Sequence, residues 1–164
     1  MAYSGMNPVV TLVERGGKAR SVQAPDITLQ TLRAVVLENA DTKSDLMTDN
    51  LRAYRTIGRR FASHETVNHD DDEYVRDFGE GKKVHTNTVE GYFSVFKRGM
   101  VGVYQHCNER HLHRYAAEFD FRYSNRAALG VDDEERTERA VRGIIGKRLT
   151  YRTTRRQSPK ADPA

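Results

Sequence analysis

The sequence predicts an α/β fold, and three observations carry that reading. A β-rich run surrounds a Gly-Gly pair near the N-terminus, and short apolar strands then alternate with stretches of helical periodicity. The length of 164 residues suits one domain with a real core. Apolar content is 37% against 30% charged, with a net charge of +4, so the surface is heavily solvated and favours an anionic partner such as nucleic acid. Cys107 is the only cysteine. That excludes a disulfide framework and a Cys-based zinc site, and it fits a reducing cytosol. The N-terminus lacks the charged and apolar regions of a signal peptide, and no apolar run approaches the length of a membrane span.

Residues 8–25 read as a β-hairpin: Val9 to Val13, a turn at Gly16-Gly17, then a more polar second strand that suits a sheet edge. Residues 28–39 place Leu29, Leu32, Val35 and Val36 on one helical face, starting near Asp26 or Thr28. Residues 45–50 form a short strand ending in Asp49. Ligands gather beyond the carboxyl ends of strands in open α/β sheets, which makes Asp49 a candidate site residue; it could equally cap a short helix at 51–54. A further strand is expected at 64–69. The acids at 70–73 lack the ligand spacing of a calcium loop, and residues 79–83 read as a solvated, glycine- and charge-rich loop.

The chemistry concentrates in residues 85–99. Val89, Phe93 and Phe96 give an apolar helical face. Glu90 and Lys97 stand two turns apart on one side, about 10 Å from each other. A carboxylate and a cation so placed suit a metal and a nearby phosphate. Asn87 followed by Glu90 is also a capping-box arrangement, so spacing alone leaves both readings open.

Three histidines stand near Cys107, but only His106 and His111 approach zinc spacing, and two ligands do not close a tetrahedron. Leu112, Tyr115, Phe119 and Tyr123 form a core stripe, with Arg110, Arg114 and Arg122 on the remaining surface as a phosphate track or a solvated face. Asp132 to Glu135 make an acidic first helical turn, and Val141, Ile144, Ile145 and Leu149 a short apolar face. Residues 147–156 hold five basic side chains and no acid, which fits nucleic-acid binding or a solvated tail.

Residues 85–104, the His111-Leu112-His113-Arg114-Tyr115 segment and residues 118–126 closely resemble the ISXO-type insertion-sequence transposases. The segments at 48–54 and 67–69 follow the same pattern in the right order, so the similarity spans about residues 7–126. The resemblance implies a DDE enzyme with an RNase-H-like mixed sheet flanked by helices. Two aspartates and a glutamate would hold two Mg²⁺ (or Mn²⁺) ions that activate water or a DNA 3′-OH against a phosphodiester. By position, Asp49 matches the second aspartate and Glu90 the glutamate. Lys97 matches a basic residue expected to contact DNA, with Asn87 as an accessory residue; Arg98 and Arg114, and Lys147 and Arg148 of the basic run beyond the resemblance, are further candidate phosphate contacts.

In the family the first aspartate lies on a strand ahead of the hairpin. Here no Asp or Glu occurs before Glu14. The expectation is a catalytic domain at 1–126 that lacks the first, central strand, followed by a basic helical extension at 127–156 and a disordered tail at 157–164. Such a chain is expected to be a cytoplasmic, nucleoid-associated transposase relative, inactive in cleavage as written. The alternative is a DNA-binding remnant or regulator that pairs with an intact transposase. Expected partners are transposon-end and target DNA, and another copy or an intact enzyme, without a membrane.

Overall fold

A computed structural model describes residues 8–67, 75–79, 82–105 and 107–147. The hairpin forms where the sequence places it. β1 (Val9–Val13) pairs antiparallel with β2 (Ala19–Gln23), and Gly16 supplies the positive φ of the turn. The outer edge of β2 is closed by a helix from the far end of the chain, α4 (Leu112–Ser124). The Ser21 amide donates to Asp120 Oδ2 at 2.6 Å and the Ala19 amide to Ser124 Oγ at 3.1 Å. Side chains thus satisfy backbone donors that an edge strand would otherwise leave to solvent.

α1 (Leu29–Asn39) starts at Thr28, whose hydroxyl accepts from the Thr31 amide. It buries Leu32, Val35 and Val36 against Val10, Ile57 and Phe61, forming one core. Each such side chain contributes roughly 1.5–3 kcal/mol through its burial. β3 (Asp45–Asp49) runs parallel to β4 (Ser63–Val67), and α2 (Arg52–Gly58) makes the crossover between them. On the other side of the hairpin, α3 (Asn87–Gly99) and α4 form a second core from Ala19, Tyr92, Phe96 and Ala116. The Phe96 and Phe119 rings meet edge to face at 5.1 Å. The hairpin is therefore packed between two helical layers.

Several expectations need correction. The mixed α/β character holds, yet the described strands make three separate two-stranded sheets and no continuous one. The stretch read as a loop at 79–83 lies within a ribbon, β5 (Arg76–Gly79) against β6 (Lys82–Val84), irregular between Asp77 and Gly79. Arg76 anchors that ribbon to β4 by donating to Glu65 at 2.7 Å and to the Thr66 carbonyl at 3.1 Å. The strand expected at 64–69 ends at Val67 as described; residues 68–69 and the acids at 70–73 lie outside the described residues.

α3 runs on into a π-helical turn, Met100–Tyr104. α5 (Asp133–Arg142) begins as expected, with Asp132 accepting from the Glu135 amide at 2.8 Å. Its apolar face, however, is not core: Val141, Ile144 and Ile145 are all more than half exposed, because no other element packs over them among the described residues. Leu149 lies outside the described residues.

Candidate functional site

Asp49 is the last residue of β3, at the carboxyl end of the parallel pair. The preceding Thr48 is buried, and its hydroxyl donates to the Asp49 carbonyl at 2.8 Å. With that proton committed, His64 Nε2, 2.9 Å from the same hydroxyl, is the donor to it. Burial holds the His64 imidazole below its ordinary pKa, against the opposing pull of Glu65. The end of β3 is thus fixed from beneath while the Asp49 side chain stays exposed. Its Oδ1 accepts from the Leu51 amide at 3.1 Å. Asp49 does not cap α2, however; Leu51 occupies the N-cap and makes no side-chain cap bond.

Glu90 lies in the first turn of α3. The residue at the N-cap is Thr86, not Asn87, so the Asn87–Glu90 capping box does not form. Instead the buried Thr86 donates its hydroxyl to Glu90 Oε1, and the Glu90 amide donates to the Thr86 carbonyl at 3.0 Å. This folds the carboxylate back over the positive end of the helix, where the macrodipole favours it. The sequence reason is that Thr86 stands one full turn ahead of Glu90.

Both acids line one cleft of about 1460 Å³, bounded by the hairpin, β3, α1 and the start of α3. Sequence spacing could not have established that convergence, because 41 residues separate the two positions. The polar part of the wall also carries Arg15, Lys83, His85 and Thr86. Arg15 reaches from the hairpin turn to the Lys83 carbonyl at 2.5 Å and the His85 carbonyl at 3.1 Å, and it also touches the Met47 sulfur. Burial lowers the Arg15 pKa from a value so high that the guanidinium remains charged. Sequence reasoning gave Arg15 no role, and beside Gly16-Gly17 nothing in its neighbours marks it as a clamp.

His85 Nδ1 is buried without a hydrogen-bond partner. Burial lowers the His85 pKa, and the Arg15 and Lys83 charges lower it further against the opposing Glu90. The ring is therefore neutral at physiological pH.

The remaining residues singled out by sequence lie elsewhere. Asn87, Lys97, Arg98 and Arg114 are exposed and are not among the residues lining the cleft. Arg122 is exposed and pairs with Glu118 at 2.8 Å one turn earlier on α4. Lys147 is exposed beyond α5, and Arg148 and His106 lie outside the described residues.

A strand-end aspartate and a helix-borne glutamate on one cleft, with basic side chains around them, fit a protein that acts on nucleic acid. Residues 3–124 match the family model described as the ISXO2-like transposase domain, and the chain belongs to that family. No curated protein and no solved structure matches the chain. Membership implies a role in transposition, DNA as a partner and a divalent metal.

Among the described residues the donors do not by themselves complete a site for such a metal. Among the described residues no group of three or more His, Cys, Asp or Glu side chains is placed to hold an ion. Asp49 and Glu90 are oxygen donors of the right kind, but two carboxylates fall short of what a pair of hard cations requires. Among the described residues no helix is long and apolar enough to cross a membrane.

Proposed function

We propose that this chain is an RNase-H-like transposase catalytic domain over residues 1–126, followed by a basic extension over 127–156. In this reading Asp49 and Glu90 are two of its metal-holding carboxylates, for Mg²⁺ or Mn²⁺. The observation that carries the reading is that these two acids, distant in sequence, line the same cleft. Asn87, at the first position of α3 and outside the cleft lining, is an accessory polar group in this reading. Lys97, Arg98 and Arg114 contact DNA phosphates from the exposed surfaces of α3 and α4, and Lys147 and Arg148 extend that contact beyond α5. The partners are transposon-end and target DNA, in a cytoplasmic, nucleoid-associated setting.

With only Asp49 and Glu90 matched to the family's three acids, the 164-residue chain on its own binds DNA without cutting it in this reading. Phosphoryl transfer needs the attacking and leaving oxygens neutralised together, and an incomplete acid set leaves that charge uncompensated. What the chain's residues do is hold Asp49 and Glu90 in place: Thr48 and His64 brace the first, Thr86 the second. The test incubates the purified chain with donor-end and target duplexes in Mg²⁺ or Mn²⁺. Duplex binding without nicking or joining is the expected result. Robust strand transfer would refute the inactivity, and loss of that transfer in Asp49→Asn and Glu90→Gln would still uphold the two residues.

A second reading, a DNA-binding regulator acting with an intact transposase, is favoured by the position of Lys97, Arg98 and Arg114 away from the cleft. Replacing Lys97 by Gln should lower the slope of log K against log salt by about 0.9 for each phosphate it ceases to neutralise. An unchanged slope would remove Lys97 from the DNA surface.

A further inference from the structure

A second groove opens between β2 and α4. It has a volume of about 680 Å³, and its lining includes Lys18 and Arg20 of the hairpin, His113 and Ala117 of α4 and Arg139 of α5. Lys18 and Arg20 are exposed and make no side-chain hydrogen bond or ion pair among the described residues. Arg139 is fixed in place by donating to Asn125 Oδ1 at 2.6 Å and to Glu135 Oε1 at 2.5 Å. Asp120 is the one acid among the lining residues, and both of its oxygens already accept from Ser21 or Tyr92. Its charge is thereby compensated within the protein, and the groove is basic.

This groove is joined to the acid cleft. Lys18, Ala19 and Arg20 line the cleft of Asp49 and Glu90 as well, so the two depressions share a wall that carries two cations. Cations that are exposed and spread along a trough do not desolvate one small anion. They suit a chain of phosphates, each partly neutralised where it passes.

We propose that the groove between β2 and α4 carries the phosphate backbone of DNA onward from the Asp49–Glu90 cleft. Lys18 and Arg20 hold it at the junction, and His113 and Arg139 hold it further along. The proposal rests on the transposase reading and adds a path to it. Lys97, Arg98 and Arg114 do not supply that path, since none of them lines either depression.

The test measures binding of the full 164-residue chain to a labelled duplex across salt concentrations. The double variant Lys18→Gln/Arg20→Gln should lower the slope of log K against log salt by about 1.8, the change for two phosphates. The pair Arg59→Gln/Arg60→Gln removes the same charge from exposed positions outside both linings and should change the slope by less than half as much. Ala117 isolates the groove, because it is exposed on α4 and lines the groove without lining the cleft. Ala117→Glu should weaken duplex binding at least about threefold near 50 mM salt, with the loss shrinking as salt rises, while Ala117→Gln leaves binding unchanged.

Equal binding by the two Ala117 variants would overturn the proposal, as would a Lys18/Arg20 slope no different from that of the Arg59/Arg60 pair. If Lys97→Gln lowers the slope in that case, DNA binding stands without the groove. If the parent chain binds no duplex, the DNA reading itself falls and the groove falls with it.

Discussion

Replacing Asp120 by Ala removes the group that fastens the hairpin to the helical layer. Its Oδ1 accepts from the Tyr92 hydroxyl at 2.6 Å and from Ser21 Oγ at 2.7 Å, and its Oδ2 accepts from the Ser21 amide at 2.6 Å. A hydrogen bond to a charged group is worth about 1.5–3 kcal/mol. The three do not sum, because the Tyr92 and Ser21 hydroxyls lie 2.9 Å apart and can satisfy each other once the carboxylate is gone. Thr11 Oγ1 stands a further 2.9 Å from Ser21 Oγ. The Ser21 amide is left without an acceptor, so the net cost is about 2–4 kcal/mol. In urea, with a slope of about 1–3 kcal/mol per molar, the midpoint should fall by roughly 1–2 M at unchanged slope. Tyr92→Phe and Asp120→Ala combined should cost less than the sum of the two, since they share one bond. A midpoint shift below roughly 0.3 M, or strict additivity of the pair, would refute the assignment of the hairpin's anchorage to this carboxylate.

Burial, reinforced by Asp120, raises the Tyr92 pKa well above its ordinary value. A raised folded-state pKa gives stability that is fully present below the unfolded value of about 10 and is lost as pH rises through the folded one. Alkaline destabilisation should therefore be shallower in Tyr92→Phe than in the parent above about pH 10, measured by urea midpoints across pH. For His64 the sign is opposite. Its lowered pKa gives stability present above about pH 6.5 and lost as pH falls, and His64→Gln should flatten that acid limb. Gly58 admits no side chain, since a Cβ there would meet the His64 ring at 2.1 Å. Gly58→Ala should destabilise by about 1–2 kcal/mol despite the better helix propensity of alanine, and adding His64→Ala should cost less than the separate changes predict.

Elements whose periodicity is set by their own burial were legible in the sequence. The hairpin, α1, β3, α3 and α4 fall where Val9 to Val13, Leu32 to Val36, Phe96 and Phe119 place them, although in α3 it is Tyr92, outside the expected Val89, Phe93 and Phe96 face, that is buried with Phe96. The β5–β6 ribbon was not, because its strands are short and charged, and Arg76 anchors it through bonds that no local pattern announces. The stripe at Val141, Ile144 and Ile145 has the spacing of a buried face, yet spacing cannot say whether anything packs on it. At the candidate site, Asp49 and Glu90 stood out through motif resemblance, while their common cleft and the Arg15 clamp depend on tertiary placement. Thr86 was hidden for another reason. Asn87 is as good a cap by residue type, and one residue's difference in helix phase decided between them.

The fastening of β2 to α4 has a consequence for how the chain is made. Ser21 and Ala19 take partners 99 and 105 residues further along. At roughly 5–20 residues per second, about 5–20 s of synthesis separate the emergence of the hairpin from the arrival of the helix that closes its edge. During that interval β2 offers its backbone to any other nascent strand. A slowed ribosome between these segments would lengthen the exposure and favour aggregation on the ribosome over folding, without altering a single bond of the finished protein.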